Sequence, residues 1–128
     1  MSDTVDRAIV PIVKKTLGND AFRDEVITGK QCQVVLMTLQ PGEEIGAEVH
    51  ADHDQILVIV EGNGQAVLEG QAREIGTNDL VFVHAGVEHN FINTGARALK
   101  LYTVYAPPEH AEGTRHATKE EADAAEAH

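Results

Sequence analysis

The chain has no tryptophan, one cysteine, three phenylalanines and two tyrosines in 128 residues. A core with so few aromatic rings has to be filled by Val, Ile, Leu and Ala, a mixture that suits strands. The single cysteine excludes an intrachain disulfide, and Cys32 reads as a small apolar residue opening a buried strand. Basic residues are scarce as well. Ten Lys and Arg against twenty-one Asp and Glu leave a formal charge of -11, which repels nucleic acid and anionic membrane surfaces. Long apolar runs are missing too: ILVIV at 56–60 is the longest aliphatic one, far short of the roughly 20 residues that cross a bilayer. The opening MSDTVDR carries two Asp and is unlike a secretory leader, which predicts a cytoplasmic protein.

What is present is period two. QVVLMTL (33–39), ILVIVEG (56–62), GQAVLEG (64–70), DLVFVHAG (79–86), NFINTG (90–95) and ALKLYTVYA (98–106) are short runs separated by turn residues. The turns fall at Pro41-Gly42, Gly62-Asn63-Gly64, Asn78-Asp79, Ala85-Gly86 and Asn93-Thr94-Gly95, leaving little room for helices between strands. Hairpin connections predict an antiparallel sheet, and a Val/Ile-rich sheet of this kind is expected to close on itself so that no edge stays open. The division is an N-terminal extension over 1–18 with a short helical segment, an all-β barrel over 19–108, and a loop with a helical tail over 109–128. Pro107-Pro108 ends the last strand, and TKEEADAAEAH reads as a frayed, solvated helix without an apolar stripe.

Chemistry-bearing residues gather in EVHADHDQ (48–55) and HAGVEHN (84–90). Residues two apart on a strand share a face, so Glu48 and His50 project together while Val49 points away. Gln55 opens the next strand and can face them across the hairpin; His89 opens a third, which barrel closure would bring near. His50-x-x-His53 is an alternative ligand pair, although a turn position would send His53 to solvent. Asp52 and Asp54 read as turn residues, one of them a possible partner for His50. His84 reads as a strand-end residue at the barrel rim, and His110 and His116 as members of a solvated loop.

These spacings resemble the cupin family, whose motifs are written G-x5-H-x-H-x4-E-x6-G and G-x5-P-x-G-x2-H-x3-N. Gly42, Glu48, His50, Gln55 and Gly62 fall at the five positions of the first, and Asn78, His84, Gly86, His89 and Asn93 at those of the second. Four identities depart: Glu48 for His, Gln55 for Glu, Asn78 for Gly and His84 for Pro. The segments NDAFRDEVITGK, QVVLMTLQPGEEIG and LYTVYAPPEHAEGT extend the resemblance to small bacterial cupins over about 19 to 119. It implies a jelly-roll barrel, the double-stranded β-helix, holding one divalent metal ion through Glu48, His50, Gln55 and His89. That set keeps the single negative charge of the usual shell, with the carboxylate moved from one position to another. Imidazole with oxygen ligands suits Fe, Mn, Ni or Zn without choosing among them.

The resemblance also implies sugar-isomerase-like or dioxygenase-like chemistry on a small polar molecule. An isomerase needs a base beside the metal, for which Glu48 and His84 are the candidates. The alternatives are a non-catalytic binding or sensing barrel and a barrel that has lost its metal. A homodimer is expected through the outward face of Ile56, Val58 and Val60.

Overall fold

A computed structural model describes residues 3–126. Two short helices, α1 (Asp3–Ala8) and α2 (Ile12–Gly18), come first, with Pro11 immediately before the second. Eight strands follow: β1 (Arg23–Thr28), β2 (Gln33–Leu39), β3 (Asp54–Glu61), β4 (Asn63–Leu68), β5 (Gln71–Gly76), β6 (Leu80–Val83), β7 (His89–Ile92) and β8 (Leu99–Ala106). A two-residue strand, β9 (Arg115–His116), and α3 (Lys119–Glu126) complete the chain. None of the described helices is long and apolar enough to cross a membrane.

The strands form two antiparallel sheets, ordered β6-β3-β8-β2-β1-β9 and β5-β4-β7, stacked as a jelly roll. Sequence neighbours pair in β1-β2 and β4-β5, but β8 lies between β2 and β3, and β7 pairs with β4. Hairpins therefore account for part of the topology, and long crossovers for the rest. Some edges stay unpaired, since β5, β6 and β9 lie at sheet ends, whereas the outer edge of β7 is bonded to the 43–48 segment. The β5 edge is defended by exposed Gln71, Arg73 and Glu74, a polar row that discourages pairing with another sheet.

The strand registers stack the interior in layers. Leu39 faces Leu99; Met37 faces Leu101, which faces Ile59; Val35 faces Thr103, which faces Leu57; and Gln33 faces Tyr105, which faces Gln55. All of these side chains are buried. Each step along β8 trades aliphatic surface for polar groups, so one end of the barrel is a dry core and the other a polar mouth. Phe91, opposite Ala66, and Phe22 join the core, which is thus less purely aliphatic than the composition suggests.

At the dry end β3 turns into β4 through Gly62, whose φ of +100° is in the region that favours glycine. A Cβ on Gly64 would lie 2.3 Å from the Ile92 carbonyl oxygen, so β4 and its sheet neighbour β7 approach too closely there for any side chain. Asn78 takes a φ of 76°, meeting the expectation that Asn replaces a turn glycine. Asn93, 1% exposed, donates to the Leu39 and Arg97 carbonyls and accepts from Gly95 N–H, closing its turn.

The segment beyond β8 departs from expectation. After the cis Ala106-Pro107 bond it returns along β1, where Thr114 O accepts from Glu25 N–H and Ala117 O from Phe22 N–H. Ala122 on α3 is buried in the core beside Phe22, so this helix is docked through one small apolar residue instead of being wholly solvated. Cys32 also differs: it is exposed, one residue before β2, and Gln33 opens the buried strand.

Candidate metal centre

Glu48 and His89 form an isolated antiparallel bridge, exchanging two backbone hydrogen bonds of 2.9 Å each. Residues paired in this way turn their side chains to the same face. His50, two residues on, places Nε2 3.1 Å from Glu48 Oε2, and its ring centre is 5.3 Å from that of His89. Val49 points away and is exposed. The chain thus brings Glu48, His50 and His89 together, and Gln55 enters the same interior from the polar layer of β3.

Donor chemistry decides whether these residues suit an ion. His89 Nδ1 lies 2.9 Å from the Val87 carbonyl oxygen, which can only accept, so Nδ1 carries the proton and Nε2 keeps its lone pair. Gln55 is 3% exposed and donates from Nε2 to Thr103 Oγ1 at 3.0 Å. Its Oε1 is buried and accepts no hydrogen bond from any described residue, a costly condition for a carbonyl oxygen unless something else meets it. Two ligand atoms bound at about 2.1 Å and at right angles are about 3.0 Å apart, close to the Glu48–His50 separation. Of the four residues, the Glu48–His50 pair already has the spacing of two such ligands.

Electrostatics agree with that chemistry. Burial pushes the Glu48 carboxyl up, but the hydrogen bond to His50 and the charges of His50, Arg23 and His89 together outweigh it and hold the group below its ordinary range. Arg23 is buried on the inner face of β1 opposite Met37, with its Nη1 3.2 Å from His116 Nδ1. His110 packs edge-on against Tyr105 and is lowered to about 4, chiefly by burial and then by the Arg23 charge.

The surrounding residues differ from the sequence expectations in several places. His53 is turned under the C-terminal segment instead of toward solvent, its Nε2 3.2 Å from the Pro108 carbonyl oxygen. His110 and His116 are partly buried against Tyr105 and Arg23, and do not lie in a solvated loop. Asp54 accepts from Ala85 N–H, bracing the β6–β7 turn and leaving His50 to another partner. His84 is exposed and leans on the outward ring of Phe82, on the rim as expected.

The partner of His50 is Glu109, whose Oε2 lies 3.2 Å from Nδ1 and which sequence spacing did not reveal. Among the described residues, the three carboxylate or imidazole groups whose ligand atoms all lie within 4.8 Å of one another are His50, His53 and Glu109, and not Glu48, His50 and His89. A glutamine opening an otherwise apolar inward-facing run was the available signal, because Gln33 anchors the backbone that carries Glu109.

A jelly roll with histidines and carboxylates gathered at one mouth is the architecture of a cupin. The cupin-domain model matches residues 35–105, over half of the chain, and the chain belongs to that family. The Bacillus subtilis protein YrkC is 45% identical over 125 residues, covering 92% of this chain and 67% of YrkC. The structure of the Bacillus halodurans protein BH2720 is 42% identical with a TM-score of 0.89, covering 91% of this chain and 92% of that one. A predicted oxalate decarboxylase from Thermotoga maritima is more distant, at 28% identity and a TM-score of 0.59 over 62% of this chain and 69% of that one.

Proposed function

We propose that this cupin binds one divalent metal ion through Glu48, His50, Gln55 and His89 and uses it on a small polar molecule, with dioxygenase- or decarboxylase-like chemistry favoured over isomerisation. The observation that carries the reading is the buried, unpartnered Gln55 Oε1 in the interior shared with the Glu48–His50 pair. A bound ion would supply Lewis-acid polarisation of a substrate oxygen and, if redox-active, one-electron chemistry.

The chain's own residues supply the rest. His89 is held in one tautomer by Val87, and Thr103 orients the Gln55 amide. Leu57 and Val83 keep bulk water from the inner side. Arg23 adds a buried positive charge, which suits an anionic or oxygen-rich molecule. Isomerisation is disfavoured because His84, one of the two candidate bases, stands exposed beside Phe82, while the other, Glu48, is committed as a ligand. The similarity to the Thermotoga maritima protein points the same way.

Elemental analysis of protein purified without added metal tests the reading. Glu48→Gln should lose most of its metal, because two imidazoles and two amides leave a dication without a compensating charge. Glu48→Gln combined with Gln55→Glu restores the charge at the family's usual position and should recover much of the affinity. Full occupancy in the Glu48→Gln protein would remove the carboxylate from the ligand set. Oxygen-uptake, decarboxylation and sugar-isomerisation assays on the Fe, Mn and Zn forms then separate the chemistries. A non-catalytic binding role is supported by the segment laid over the mouth, and would be favoured if ligands raised the melting temperature without turnover.

A further inference from the structure

Glu109 lies three residues beyond the end of β8, outside every strand. Its position is nevertheless well determined. The Gln33 side chain, fully buried in the last layer of the barrel, accepts from Glu109 N–H at 3.2 Å and from His110 N–H at 3.0 Å, and donates to the His110 carbonyl at 2.6 Å. One amide thus ties two consecutive residues to β2. The Glu109 carboxylate is thereby set with Oε2 3.2 Å from His50 Nδ1.

The two sides of the His50 ring face different partners. Nδ1 faces Glu109, and Nε2 faces Glu48 Oε2 in the interior. A carboxylate accepting from Nδ1–H fixes the ring's rotation and raises its basicity, and makes Nε2, which donates to Glu48 Oε2 in the metal-free chain, the nitrogen that exchanges its proton for an ion. Direct coordination by His50, His53 and Glu109 is the competing arrangement. It conflicts with His53, whose Nε2 lies 3.2 Å from the Pro108 carbonyl oxygen and must carry a proton to bond it, leaving no lone pair there.

We infer that Glu109 is a positioning residue of the metal centre, holding His50 by Nδ1 so that its Nε2 is presented to the ion, and that the segment after β8 is therefore part of the site. This rests on the proposed ligand set of Glu48, His50, Gln55 and His89. In the absence of the carboxylate the His50 ring loses the acceptor of its Nδ1–H, and the affinity of the site falls although every ligand is still present.

The test is titration of the metal-free full chain with Co(II) and Mn(II), reading the dissociation constant, the Co(II) absorption spectrum and the melting temperature without metal. Glu109→Ala should weaken binding by about 10–100-fold, the usual cost of losing such a partner. Glu109→Gln should lose less, since its amide oxygen still accepts from Nδ1–H without the charge. His53→Ala should stay close to the parent, and the metal-free melting temperature of Glu109→Gln should be nearly unchanged. Parent-like affinity and spectrum in Glu109→Ala would overturn the inference while leaving the ligand set intact. Equal collapse in Glu109→Ala and His53→Ala, with Glu48→Gln unaffected, would overturn both and assign the ion to His50, His53 and Glu109. A parent chain that binds neither metal refutes the ligand set, and the inference with it.

Discussion

The two ends of the barrel are built from the same three strands, β2, β3 and β8, and differ in what those strands turn inward. At the dry end Leu39, Leu99, Leu101 and Ile59 are all fully buried, and the β3–β4 turn packs at Gly62 against the Ala98 backbone. At the mouth the same faces present Gln33, Gln55 and Tyr105, joined by His89 and covered by the segment that carries Glu109 and His110. The dry end satisfies every local rule of a folded core. The mouth breaks one, by leaving Gln55 Oε1 buried with no hydrogen-bond partner among the described residues. Such a violation marks the end where function is concentrated, tolerated because stability is generated elsewhere in the same strands.

The sharpest way to break the comparison is to damage the dry end. Leu99→Ala empties a fully buried side chain of the layer farthest from the mouth and should cost about 2–5 kcal/mol in denaturant unfolding. Metal content per folded molecule should not change. If it fell in proportion to stability, the two ends would not be separable. The complementary experiment removes the metal and spares the core. At a free ion concentration of about 100 times the dissociation constant, chelation should lower stability by about 2.7 kcal/mol, read as a fall in melting temperature. Identical melting curves for protein shown to contain metal would argue against coupling between the site and the fold.

A smaller effect reports on the cover of the mouth. His110 is held at about 4 against an ordinary 6.5, by burial first, then by Arg23, with His116 and His50 adding to Arg23 and Glu48 opposing it. Its folded value lies below its unfolded one, so as pH falls the unfolded chain takes up the proton first. The metal-free protein should therefore lose stability between pH 6.5 and 4, by about 1–2 kcal/mol after allowance for partial exposure, with no further loss from this group below 4. Melting curves of His110→Phe should flatten over that window. An unchanged slope would mean that the ring is solvated.

The same contrast explains what was legible in the sequence. β2, β3, β4, β6, β7 and β8 each overlap a run whose alternation marks it, because each has one face on the core. β1 and β5 were missed. RDEVIT carries three charges, and Gln71 to Glu74 of β5 are exposed on both faces, so these strands owe their conformation to pairing partners and not to their own pattern. Period two put Glu48 and His50 on one face, and the family resemblance, whose motif acts over a few residues, proposed Gln55 and His89 beside them. Glu109 was invisible because Gln33, which positions it, is 76 residues away, and no local periodicity reports a contact made by a chain that doubles back after a proline pair.

The layering also bears on how such a barrel can diversify. Successive inward residues of a strand are about 6.6–6.8 Å apart, so exchanging Gln55 or Gln33 alters the outermost layer while Leu57, Val35 and everything beneath keep their neighbours. Ligand identity and metal preference can then drift by single substitutions at almost constant melting temperature. An ancestor and its descendants can differ in chemistry while sharing one core, and a swapped carboxylate such as Glu48 with Gln55 is a step that this architecture permits.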